Sequence, residues 1–153
     1  MNRLIQSLML SACAASGLAL VTMVVASQAH AAGNPLEAER WQSRPLVLVA
    51  PSADDPLVRS IEGALSQTAV RRDFDEREMV LFTVLGGKGA RNDMALSAQQ
   101  TQAMLRALGL KADGPATLVL VGKDGGEKMT EVGHATLQDI FPVIDAMPMR
   151  RAR

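Results

Sequence analysis

Three short apolar runs, each fenced by proline or glycine, constrain this chain more than any other feature. Leu46–Ala50 lies between Pro45 and Pro51, Met79–Leu85 stops at Gly86-Gly87, and Thr117–Val121 ends at Gly122. Each is too short for a buried helix and too uniformly apolar for a half-exposed strand. Together they predict three strands buried on both faces, which require helices above and below one sheet. The intervening segments supply them. Asp55-Pro56 is a helix start, with the aspartate as cap and the proline at the first helical position. Leu57, Ile61, Ala64, Leu65 and Thr68 then recur at helical spacing, giving a helix from Pro56 to about Val70. Ser97 and Gln100 form a capping box, Ala98 to Leu108 trace a helical face, and Gly109 closes it.

Lys123-Asp124-Gly125-Gly126 is a turn signal. It leads into Glu127–Val132, which alternates as an edge strand with one exposed face would. Leu137, Ile140, Phe141, Val143, Ile144 and Met147 line a last helix. Pro142 is tolerable there in the first turn and kinks the helix if it lies deeper. Arg71 to Glu78 reads as a charged connection, Gly86 to Gly89 as a flexible loop, and residues 33–44 as a lead-in whose Trp41 packs on the domain edge. The resulting order is β-α-β-α-β-β-α: an α/β single domain over 45–151, with the first two strands parallel and the last two antiparallel.

The N-terminus carries an address. Arg3 is the only charge before Glu37, Leu8 to Ala26 is apolar, and Ala29-His30-Ala31 supplies small residues at −3 and −1. This pattern reads as a secretory signal peptide over 1–31. The apolar run is nearly long enough for a membrane anchor, but the Ala-x-Ala end favours cleavage. That implies a periplasmic or extracellular protein with no membrane attachment afterwards. Cleavage also removes Cys13, the only cysteine. The remaining domain would enter an oxidising compartment without a thiol, which excludes disulfides, cysteine nucleophiles, CxxC chemistry and cysteine metal sites. Sixteen basic and sixteen acidic residues balance, and aromatic residues are 3% of the chain. Neither feature suits a nucleic-acid surface.

The order of elements resembles the thioredoxin-like fold. Gly114-Pro115-Ala116-Thr117 and the strand after it, followed by Gly122-Lys123-Asp124-Gly125-Gly126, resemble the Pro-Thr strand and hairpin of thioredoxins, with Ala116 inserted between proline and threonine. A closer resemblance is carried by Arg72-Asp73-Phe74-Asp75-Glu76-Arg77, by the same Gly122–Gly126 hairpin, and by Ile144-Asp145-Ala146-Met147-Pro148-Met149-Arg150-Arg151. These segments are similar to the domain of unknown function 4174 family, spanning about Pro45 to Arg151. The resemblance implies a thioredoxin- or peroxiredoxin-like domain, with relatives in extracellular sushi-repeat and coiled-coil-domain proteins, and it implies no reaction. The turn that holds the reactive cysteine in thioredoxins is here Pro51-Ser52-Ala53-Asp54-Asp55-Pro56. What the resemblance implies is therefore geometry alone: a helix N-terminus facing the Pro115 loop.

The candidate site residues follow. Ser52, Asp54, Asp55 and Pro115 would form a ligand-binding edge for a protein or peptide partner. An enzyme built on Ser52, Asp55 and His134 is the alternative, but capping accounts for the serine and aspartates without a catalytic base at hand. Lys88 and Arg91, with the Gly86–Gly89 backbone, would contact an anion. Arg150 and Arg151 extend past the last helix, where cations suit the dipole and a partner could also bind. Asp73, Asp75, Glu76 and Glu78 alternate with Arg71, Arg72 and Arg77, so they read as a self-neutralised run rather than a calcium site. Met147 and Met149 could ligate a soft metal but read as core and helix-end residues. No metal, cofactor or catalytic residue is expected.

Overall fold

The computed structural model describes residues 33–148. The signal-peptide reading over 1–31 and the Met149, Arg150 and Arg151 readings lie outside the described residues. The elements are a 3-10 helix at Pro35–Glu39, β1 Arg44–Ala50, α1 Pro56–Leu65, α2 Thr68–Glu76, β2 Met79–Leu85, β3 Lys88–Arg91, β4 Met94–Ala95, α3 Ala98–Ala107, β5 Thr117–Val121, β6 Glu127–Val132 and α4 Leu137–Asp145. The strands form one mixed sheet in the order β4-β3-β2-β1-β5-β6. β1 and β2 are parallel, and every other pairing is antiparallel.

The central strand explains the layering. Every residue of β1 is buried, and its side chains alternate between two cores. Leu46, Leu48 and Ala50 join Leu57 and Ile61 of α1, Phe74 of α2 and Leu137, Ile140 and Ile144 of α4. Val47 and Val49 join Leu36 of the 3-10 helix and Met104 and Leu105 of α3. Helices thus cover both faces of a mixed α/β domain. Asp55 caps α1 through its Oδ1, which accepts from Leu57 N at 2.9 Å, with Pro56 opening the helix. Ser97 and Gln100 form the capping box of α3. Thr136 and Asp139 form a second one on α4.

Three segments depart from expectation. The helix predicted from Pro56 to Val70 ends at Leu65, and the charged connection is itself α2. Only Phe74 of α2 is buried; Arg71–Asp75 and Arg72–Glu76 pairs line its exposed side. Four-residue spacing makes those charges helical neighbours rather than a coil. The expected Gly86–Gly89 loop is a hairpin. Gly86 and Gly87 both have positive φ and join β2 to β3, while Asn92 and Asp93, also at positive φ, join β3 to β4. Two-residue turns of this handedness match the twist of paired strands. Gly89 lies under α3, and a Cβ there would collide with Thr101 Oγ1. Pro142 lies inside α4, beyond its first turn. Trp41 is 65% exposed rather than packed on the domain edge.

Candidate functional site

The residues singled out from the sequence gather mainly at one end of the sheet. At the C-terminal end of β1, Ser52 Oγ accepts from Asp54 N at 3.1 Å and Asp55 caps α1, so both local oxygens are engaged by backbone. Ser52 and Asp54 are exposed and Asp55 is half-buried. β1–β5 pairing sets Val49 opposite Thr117, which carries Pro115 to the same end of the sheet. The bond before Pro115 is trans. Pro115 accepts through its carbonyl from Thr117 Oγ1 at 2.8 Å.

The 109–115 loop divides this end into two clefts. One, of about 330 Å³, is lined by Val49, Leu110, Lys111, Pro115, Thr117, Thr130 and Val132. It opens on the α3 side of the sheet, because Val49 and Leu110 belong to that core. The other, about 280 Å³, is lined by Pro51, Gly86, Gly87, Ala112 and Asp113. Ser52, Asp54 and Asp55 line neither, but they follow Pro51 directly. His134 comes after β6 and is exposed. β5 separates β6 from β1, a gap of roughly 10 Å at two strand spacings. No hydrogen bond among the described residues joins His134 to Ser52 or Asp55. Lys88 is exposed at the start of β3. Arg91 is committed to Glu39, with Nε–Oε1 at 2.6 Å.

The opposite end holds a charge cluster that sequence reasoning missed. Arg44 is 1% exposed at the first position of β1. Its NH1 donates to Arg77 O at 2.8 Å and lies 3.3 Å from Glu78 Oε2. Lys123, at the end of β5, reaches the same oxygen at 2.6 Å. Glu78 is held at φ +53°, a left-handed turn that bends the chain from α2 into β2. Arg77 grips Asp145 of α4 through Nε at 3.1 Å and NH2 at 2.7 Å, and its guanidinium lies 4.4 Å from the Phe141 ring centroid. Glu39, 5% exposed, accepts from Ser43 Oγ at 2.5 Å as well as from Arg91. Burial pushes the Glu39 carboxyl up, but the hydrogen bonds from Arg91 and Ser43 outweigh it and hold the group below the usual carboxylate range.

Beside this cluster is a third cleft, about 330 Å³, lined by Trp41, Gly122, Lys123, Asp124, Lys128, Met147 and Pro148. Charged residues adjoining strands read as solvated in a sequence, which hid Arg44 and Lys123. One signal was available. The three segments that carry the family resemblance all contribute here: Arg77 from the first, Gly122–Asp124 from the second, and Asp145, Met147 and Pro148 from the third.

Among the described residues no three His, Cys, Asp or Glu side chains gather to hold a metal ion, and no helix is long and apolar enough to cross a membrane. No curated protein and no solved structure matches the chain. The model of the family described as Domain of unknown function (DUF4174) matches residues 35–153. The match takes in the whole sheet, every helix among the described residues and all three clefts, and the chain belongs to that family.

Proposed function

We propose that this chain is an exported, thioredoxin-like binding module that works without redox chemistry, docking a neutral or basic peptide segment at the C-terminal end of β1. The observation that carries the reading is the cleft between the 109–115 loop and β5–β6. Its lining sets Val49, Leu110, Pro115 and Val132 beside two threonines and Lys111, and Val132 on its rim is 60% exposed. Apolar clefts with a few polar groups at strand ends suit ligands. Asp54, Asp55 and Asp113 lie around this end against Lys88 and Lys111, a balance that favours a neutral or positive partner over an anion. The sheet order β2-β1-β5-β6, with one parallel and two antiparallel pairings, supports the thioredoxin-like reading.

The test is selection from a library of extended peptides of graded charge on the immobilised protein. Neutral and basic sequences should be enriched. Val132→Asp should weaken retention of neutral peptides, and Asp54→Asn with Asp55→Asn should weaken basic ones while leaving the fold intact, since asparagine still caps. Retention unchanged in both variants would remove this end as the docking site.

A further inference from the structure

We propose that the cleft at the opposite end, between Trp41 and Met147–Pro148, binds a small molecule with an apolar body and one anionic head, such as an aliphatic carboxylate. Three observations converge. The first is Trp41 itself. Its φ is +63° and it is 65% exposed, so a bulky side chain sits in a backbone conformation it normally avoids and still gains little burial. Its N–H donates to Lys123 O at 2.7 Å, which fixes the residue against the β5–β6 turn. A strained, anchored backbone that presents an uncovered indole suits a ligand-facing wall.

The second observation is the lining. Trp41, Met147 and Pro148 supply apolar walls around a volume of about 330 Å³, within the range of small-molecule sites. The third is the surplus of donors. Asp124 accepts from Lys128 Nζ at 2.7 Å and from Gly126 N at 3.1 Å, so both its oxygens are occupied. Glu78 Oε2 already takes Arg44 and Lys123. Each lysine ammonium has three N–H groups, and Lys123 and Lys128 each spend one on a carboxylate. Among the described residues, Arg44 and Lys123 pair with Glu78, and Lys128 pairs with Asp124. Arg44 Nε is buried with no partner in the same cluster. Gly122 keeps the Lys128 stem seated, since a Cβ there would meet Lys128 Cε at 2.5 Å. An anionic head would bond Lys128 while the body lies against the indole.

Trp41 is the only tryptophan and the chain has no tyrosine, so its emission reports on this cleft. The purified protein is titrated with octanoate and with octan-1-ol by fluorescence, with calorimetry in parallel so that a silent indole does not hide binding. Octanoate should bind saturably and about ten-fold more tightly than the alcohol, as one charge-assisted hydrogen bond predicts. Lys128→Met should remove that preference and leave the alcohol's affinity unchanged; Lys128→Gln gives a second variant if the first perturbs the circular dichroism spectrum. No saturable binding by either method overturns the proposal. So does equal affinity for acid and alcohol, or an octanoate affinity indifferent to Lys128. The strand-end peptide site is untouched by any of these results.

Discussion

Arg44 occupies a position where a charge costs several kcal/mol unless it is neutralised in place. Glu78 pairs with it and with Lys123, one carboxylate oxygen serving two cations. The shared partner makes Glu78 the sensitive member. Glu78→Gln should lower the unfolding free energy by about 3 kcal/mol, since it strips the negative charge from two buried cations at once. Urea titration of the variant checks this. A loss under about 0.5 kcal/mol, the range of ordinary surface changes, would mean that the cluster is solvated and carries no such role. Arg44→Met in the same background should recover part of the loss, because it removes one cation left without its partner.

Pairing between elements gives the fold its acid limit. Glu39 ties the 3-10 helix to β3 through Arg91, and its folded-state pKa lies below the unfolded value, about 4.3. A depressed carboxylate contributes stability that is fully present above the unfolded value and is lost as pH falls through the folded one. The urea midpoint should therefore decline below about pH 4.3. In Arg91→Met, burial acts against only the Ser43 hydrogen bond, so the folded-state pKa moves up toward the unfolded value and the decline on acidification should be shallower, from a lower stability at neutral pH; superimposable profiles would refute the tether. The same elements show what a sequence can reveal. β1, β2 and β5 were legible because strands buried on both faces are continuous apolar runs. α1 and α3 were legible from Asp55-Pro56 and Ser97-x-x-Gln100. α2 was not, because one buried residue, Phe74, leaves no periodicity to read. β3 escaped because Lys88-Gly89-Ala90-Arg91 has little strand propensity, and the flanking Gly86-Gly87 and Asn92-Asp93 turns set the pairing instead. At the strand end, the turn after β1 and the Pro115 segment named from the sequence lie at the same end of the sheet. The capping pattern also anticipated that backbone takes up Ser52 and Asp55, but the sequence could not show that buried charges gather at the far end, because that depends on contacts across the fold.

For the whole molecule, export is the property on which the binding-module reading depends. The Ala29-His30-Ala31 pattern sets the expectation: intact-mass measurement of protein recovered outside the cytoplasm should give a chain beginning at Ala32. Recovery of the chain from Met1 in the membrane fraction would reverse it. The two rims of the sheet carry a different consequence. β4 is two residues long, while β6 bears Glu127, Lys128 and Glu131 and has a register shift where it meets the end of β5. A short strand and a charged, irregular one are poor templates for further strands. A sheet so terminated resists growth into fibres. Any partner must then be selected by the shape and charge of side chains, because the backbone offers no ready ladder to extend.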